Sequence, residues 1–421
     1  MSKSELTKDT LISYFASGCK KKKEWRIGTE HEKFGFRKKT LEPIKYSDIK
    51  KILTKLSHKF GWTKILEGKK IIGLKRDNAS ISLEPGGQIE LSGAPLTNLF
   101  ETCMEVNNHQ DELNSVCEEL DIDFMGMGVL PKWSRDDMSL MPKKRYKIMS
   151  EYMPRVGSAG LDMMLRTCTI QANFDFSSEQ DMKKKIIVSQ SIQPLVIALY
   201  ANSPFINGKL SKFLSHRSYI WTKTDTDRCG ILPIFSDQNF SFERYVDYLL
   251  DVPMYFVIRN NEYVNLTGYT FRDFMKGKIK NLKATFADWE NHITTIFTEV
   301  RLKKIIEVRG ADGGPWSRVC ALPAFWTGIL YDEEILEEIW LMVKGWKFNE
   351  IKSFYNDVRK NGLKATAPNK ESLFNFTKKI LEFSENGLRK RKYKKEHRDE
   401  TSFLEPLKII LNSGQSPAET W

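Results

Sequence analysis

The segment ISLEPGGQIELSG, residues 81–93, constrains the fold more than any other part of this chain. Successive strand residues point to opposite faces of a sheet. Ile81 and Leu83 therefore share a face, and Ser82 and Glu84 take the other. Past the turn, Ile89 and Leu91 form an apolar set, and Gln88, Glu90 and Ser92 form a polar one. Directly opposed residues of an antiparallel pair share a face. Only a loop with an odd residue count, Pro85–Gly87 or Pro85–Ile89, keeps both apolar sets together. A two-residue loop would set Glu84 against Ile89. The glycine pair supplies the positive φ such a loop needs. The segment predicts a hairpin with one face in a core and one face carrying carboxylates.

Three other stretches repeat that pattern. In WRIGTEHEKFGF (25–36), Arg26, Glu30 and Glu32 share a face, and His31 points the other way as a structural residue. In RTCTIQANFDF (166–176), Thr167, Thr169, Gln171, Asn173 and Asp175 oppose an apolar set of Cys168, Ile170, Ala172, Phe174 and Phe176. The segment 300–309 reads as one more strand, with Glu307 and Arg309 on one face and Ile306 and Val308 on the other. Placed in one sheet, these strands gather Glu30, Glu32, Glu84, Glu90 and Glu307. Like charges in a partly buried site repel, so the gathering requires cations. Hard oxygen ligands select Mg²⁺ or Mn²⁺ over zinc. Phosphate-bound Mg²⁺ implies a nucleotide, and Arg309 is placed to reach a transferring phosphoryl group. Lys, the commonest surface residue of this chain, is nearly missing from these faces, which speaks against plain solvated surface.

Helical spacing fills the intervals. Residues 47–60 read as a helix, as do 95–120, where Leu96, Leu99, Cys103, Val106, Leu113 and Val116 form one stripe. Ser177–Glu179 start a helix running to about Tyr200. Residues 1–24 read as a short helix and a basic turn. Beyond about 330 the pattern is helical. The expectation is an α+β fold, with a catalytic unit over 1–330 and a helical C-terminal appendage over 331–421 packed on it.

Composition excludes several classes. Of 421 residues, 41% are hydrophobic, enough for a large core. No run of about 18 apolar residues is present, and the first residues lack a secretory pattern, so the expectation is a cytoplasmic protein that meets no membrane. The six cysteines stand singly, without CxxC, which argues against a zinc ribbon or a disulfide-stapled scaffold. The formal charge of +12 leaves nucleic acid open as a partner. Clustered carboxylates argue against it, because they repel phosphates unless metal-bound. In SHRSYIW, Arg217, Tyr219 and Trp221 read either as an aromatic core strand or as a substrate pocket. GADGGP (310–315) reads as a tight turn.

Several long segments resemble one family. WRIGTEHEKFGF, SISLEPGGQIELSGAP, RYKIMSEYMP, GLDMMLRTCTIQANFDFSSE and EVRLKKIIEVRGADGGPWSRVCALPAFW are similar to glutamate–cysteine ligase of the branch found in plants and many proteobacteria. The resemblance implies a glutamine-synthetase-like α+β fold whose antiparallel sheet cups the active site. It implies ATP-dependent joining of the γ-carboxylate of L-glutamate to the amine of L-cysteine through a γ-glutamyl phosphate, the first step of glutathione synthesis. In its terms Glu30, Glu32, Glu84, Glu90 and Glu307 are Mg²⁺ ligands and Arg309 is the phosphate contact. Arg217, Tyr219, Trp221, Thr167 and Gln171 are its substrate-binding set. The enzyme would be a monomer or homodimer. A related ligase with another amine acceptor is the alternative. The resemblance also pairs Cys103 with Cys320 as a possible redox pair, which spacing alone leaves as two buried thiols. The second regulatory cysteine pair of plant members is replaced here by Leu266 and Asn281.

Overall fold

The computed structural model describes residues 6–421. The first five residues of the segment read as an N-terminal helix lie outside them, and the helix itself runs Lys8–Ala16.

Nine strands form one antiparallel sheet. They are β1 (Ile27–Arg37), β2 (Thr63–Glu67), β3 (Lys70–Arg76), β4 (Ala79–Leu83), β5 (Ile89–Ser92), β6 (Ile122–Met125), β7 (Thr169–Phe174), β8 (Val300–Leu302) and β9 (Ile306–Asp312). The order is β8-β9-β7-β1-β5-β4-β3-β2, and β6 pairs with the far end of β1. The β4–β5 register sets Ser82 against Glu90 and Leu83 against Ile89, and the Glu84 N–H donates to Gln88 O at 2.9 Å. The loop is therefore Pro85–Gly87, the three-residue form. Gly87 takes φ +92°, and a β-carbon on Gly86 would overlap the Leu165 carbonyl. Both glycines are needed, one for conformation and one for close approach.

The apolar sides of these strands are buried under helices. α1 (Tyr46–Phe60) and α2 (Leu99–Cys117) cover the β3–β5 half, where Leu74, Ile81, Leu83 and Leu91 meet Ile49, Ile52, Leu53 and Leu56. α3 (Lys144–Val156) and α4 (Gly160–Arg166) lead into β7. α5 (Glu179–Tyr200) starts at Ser178, whose hydroxyl accepts from the Asp181 N–H. α5 and α7 (Trp316–Leu330) bury Ile27, Ile170, Ala172, Phe174 and Val308. α6 (His216–Trp221) is a short helix between them in the chain. The C-terminal helices α8 (Glu333–Val343), α9 (Phe348–Asn361), α10 (Leu373–Arg391) and α11 (Glu405–Ser413) share the hydrophobic cluster of α5 and α7.

Two expectations are corrected. The single strand at 300–309 is a hairpin, β8 and β9, turning at 303–305. SHRSYIW is not a strand but helix α6. Ser215 caps it, accepting from the Ser218 N–H. Among the described residues, no helix is long and apolar enough to cross a membrane.

Candidate active site

The polar face of the sheet floors a cavity of about 370 Å³. Register explains why its carboxylates meet. Glu32 lies directly opposite Glu90, which lies opposite Ser82, so one row runs across β1, β5 and β4. Glu30 sits opposite Gln171 of β7. Glu84 leaves β4 at the start of the hairpin loop. All four glutamates line the cavity, with Thr167, Thr169, Gln171, Arg217, Trp221 and Arg309.

These carboxylates are thinly satisfied. Glu32 accepts one bond from the Thr169 N–H at 3.1 Å, and Glu30 one from Asn173 Nδ2 at 2.7 Å. The Tyr146 hydroxyl donates to Leu83 O at 2.8 Å and lies 3.4 Å from Glu84 Oε2. Burial, reinforced by the charge of Glu84, pushes Glu32 up to about 8 despite Arg217 and Arg309 nearby. Burial and then Glu84, Glu30 and Glu32 push Glu90 well above the carboxylate range. Cationic side chains line the same cavity, but among the described residues none forms an ion pair with Glu30, Glu32, Glu84 or Glu90, and the donor set fits hard divalent cations. Among the described residues, no three acidic, His or Cys side chains are already gathered as a metal site. The oxygens face a common space without closing on one point.

Glu307 is placed differently. Arg301 lies directly opposite it across β8–β9, and the two side chains form an ion pair. Lys303 adds a second at 2.7 Å, and Glu307 is absent from the cavity lining. Burial alone would raise its pKa, but Arg301, Lys303 and Arg309 together hold it far below the usual range. The expected fifth metal ligand is thus committed to protein cations. Arg301 and Lys303 themselves line the cavity.

Arg309 owes its direction to a β-bulge. The β9–β7 register slips between Val308 and Ala311, which leaves Arg309 and Gly310 outside the regular pairing. The Arg309 guanidinium donates to Gln171 Oε1, and Thr169 Oγ1 lies 3.0 Å from Arg309 O. Arg217 approaches from α6, donating through Nη2 to Arg309 O at 3.0 Å. Residues 217 and 221 stand four apart on a helix and share a face, so Arg217 and Trp221 both reach the cavity. Tyr219, two residues away, does not. It stacks on Phe213, ring centroids 4.5 Å apart, outside the cavity lining. Its place as a pocket wall is corrected on that ground. Thr167 lines the cavity while its hydroxyl donates to Met163 O at 2.7 Å.

The sequence reading missed Lys143, Arg145 and Tyr146, which face the cavity from the start of α3. Nothing in the segment 143–154 marks them locally. It also missed Arg301 and Lys303, which a turn placed at 303–305 would have set beside Glu307. Cys103 of α2 and Cys320 of α7 are bonded to each other, Cα atoms 5.6 Å apart.

An antiparallel sheet cupping an acidic, arginine-rimmed cavity, with helices behind it, defines a carboxylate–amine ligase of the glutamine-synthetase-like fold. The chain belongs to glutamate–cysteine ligase family 2, whose model matches residues 26–421. It is 54% identical over 418 residues, 98% of this chain and 80% of the relative, to the chloroplastic glutamate–cysteine ligase of Brassica juncea. The chloroplastic glutamate–cysteine ligase A of Oryza sativa subsp. indica is likewise 54% identical, with 84% of its length covered. A solved glutamate–cysteine ligase of Francisella tularensis in complex with AMP shares the fold at a TM-score of 0.55 and 13% identity, covering 96% of this chain and 84% of that one. The cytoplasmic placement expected from the sequence is corrected by the plant relatives, which are chloroplast proteins by name. That expectation rested on the lack of a secretory pattern. A plastid leader is a different kind of segment, Ser- and Arg-rich and poor in acidic residues, which a secretory test does not address.

Proposed function

We infer that this chain joins the γ-carboxylate of L-glutamate to the amine of L-cysteine at the expense of ATP, by way of γ-glutamyl phosphate. A carboxylate is a poor acyl donor. Its oxygen takes the γ-phosphoryl group as ADP leaves. The amine nitrogen then attacks the acyl carbon and phosphate departs. The observation that carries this reading is the meeting of the Glu32–Glu90 row with Arg309 and Arg217 in one cavity, within a chain that matches the ligase family over residues 26–421.

In this reading Glu30, Glu32, Glu84 and Glu90 hold Mg²⁺, or Mn²⁺ in its place. When bound, the metal neutralises phosphate charge and orients the γ-phosphoryl group. Arg309, steadied by Gln171, meets the transferring phosphoryl group. Arg217, in the cavity wall, holds a substrate carboxylate, with Trp221 beside it and Thr167 at the rim. Arg301 and Lys303 add positive charge where an anionic substrate enters. The Cys103–Cys320 bond ties α2 to α7, and we read it as redox-responsive. Changed activity with two more titratable thiols after mild reduction is the expected outcome.

The test is ADP release with L-glutamate, L-cysteine, ATP and Mg²⁺, omitting each in turn. Turnover should vanish on each omission. Equal rates with 2-aminobutyrate, alanine or glycine in place of cysteine would favour the related ligase with a broader acceptor.

A further inference from the structure

Behind Arg217 lies a buried carboxylate that the reaction does not use. Glu299 is 4% exposed and precedes β8. Its carbonyl accepts the Arg309 N–H at 2.8 Å, so its backbone helps hold the bulge. Its side chain is seated against that bulge, since a β-carbon on Gly310 would overlap Glu299 Oε2. Among the described residues, Oε2 has no hydrogen-bond partner, and neither do Nε and Nη1 of the buried Arg217. The positive charge of Arg217 nonetheless acts on Glu299. Two opposite charges thus lie near one another in the dry interior without pairing. The donor that Glu299 does have comes from the C-terminal helices. The Tyr355 hydroxyl, on α9, donates to Glu299 Oε1 at 2.5 Å and lies 3.4 Å from Ser218 O, on the residue after Arg217.

We propose that Tyr355 is a positioning residue for substrate binding: by occupying Glu299, it keeps that carboxylate from capturing Arg217, which then stays in the cavity wall. The inference rests on the reading of Arg217 as a substrate-carboxylate contact. A buried carboxylate that loses its donor must find another. In Tyr355→Phe the donors left to Glu299 are the neutral Gln193 amide, whose unpartnered Nε2 also borders Gly310, and the Arg217 guanidinium, whose charge acts on Glu299. The charged donor makes the stronger bond, and an Arg217 drawn toward Glu299 meets substrate less well. Removing the charge of Glu299 as well should release it.

The experiment is steady-state kinetics on the full chain, varying each substrate separately. Tyr355→Phe should raise KM for glutamate about tenfold, as loss of a supporting hydrogen bond does elsewhere, with KM for ATP and cysteine changed less than about twofold. Adding Glu299→Gln to Tyr355→Phe should bring KM for glutamate back to within about threefold of the parent, whereas a packing defect would deepen in the double variant. Unchanged KM for glutamate in Tyr355→Phe overturns the proposal, as does a uniform loss for all substrates or a double variant worse than the single. If the double variant does not fold, the substrate split in Tyr355→Phe alone decides. Arg217→Lys separates the two levels. If it leaves KM for glutamate unchanged, the assignment of Arg217 itself fails. If it raises that KM while Tyr355→Phe does not, only the role of Tyr355 fails.

Discussion

Two groups of carboxylates share the polar face of one sheet and meet opposite fates. Around β1, β4 and β5, Glu32 and Glu90 face each other across the strands with one hydrogen bond between them and the protein. At the β8–β9 end, Glu307 faces Arg301 and also holds Lys303. Residue type is alike, Glu307 is the more deeply buried, and the cross-strand neighbours differ. A paired carboxylate stabilises the fold and is closed to ligands. An unpaired group strains the fold and is open to a cation from solution. The strain is therefore the informative feature of the site.

The sharpest break of this comparison is Glu307→Gln. It leaves Arg301 and Lys303 without their buried partner, and removal of one member of a buried ion pair typically costs about 3–5 kcal/mol. Chemical denaturation should show that loss, and an unchanged midpoint would mean Glu307 is not a structural counter-ion. Glu90→Gln should do the reverse. Activity should fall about 10²-fold or more, the scale of removing one electrostatic interaction from a transition state. The metal-free protein should become more stable near neutral pH, because Gln removes a carboxyl whose ionised form burial and its neighbours disfavour in the folded state. Mg²⁺ should raise the Tm of the parent and raise that of Glu90→Gln less, since a ligand stabilises only the state that binds it. Full activity after thorough chelation would remove the cation from the picture.

How far the sequence carried this distinction depends on the residue. The faces of β1, β4, β5 and β7 were legible because alternation is a local property with a period of two. Even the odd loop count of the hairpin followed from it. Glu307 looked like the other glutamates because 300–309 read as one strand. Its partner Arg301 becomes visible only once the chain turns at 303–305. Tyr219 was misplaced for a related reason: spacing of two joins 217, 219 and 221 on a strand, whereas a helix joins only 217 and 221. Lys143, Arg145 and Tyr146 reach the cavity through tertiary packing of α3, and no local period encodes that. The bulge at Arg309–Gly310 is likewise a property of two strands together.

Arg309 lies between the two carboxylate groups, 3.8 Å from Glu307 and bonded to Gln171 beside the acidic row. Arg309→Lys retains charge but loses the planar fork. Turnover should drop about tenfold, the worth of roughly one hydrogen bond to a charged group. A drop in stability without a drop in kcat would assign Arg309 to the paired region instead.

The smallest effect is expected on the reverse face of β1, where His31 and Lys33 alternate with Glu30 and Glu32. Lys33 is 3% exposed, and its ammonium sits 4.0 Å from the centroid of the Trp316 ring. His31 packs beside the same ring, centroids 5.1 Å apart. These are buried polar groups too, but they adjoin aromatic walls rather than the cavity, and neither lines it. Lys33→Met keeps an unbranched side chain of comparable length over Trp316 and removes only the charge. A buried cation–π interaction is worth about 1–2 kcal/mol, and relief from holding an ammonium in the interior offsets part of its removal. Stability should therefore move by about 1 kcal/mol or less, and kcat by less than about twofold, within the range of substitutions that touch no special feature. A tenfold loss of kcat in Lys33→Met would mean that polar groups behind the sheet govern the chemistry in front of it, and that pairing along the front face does not by itself separate scaffold from site.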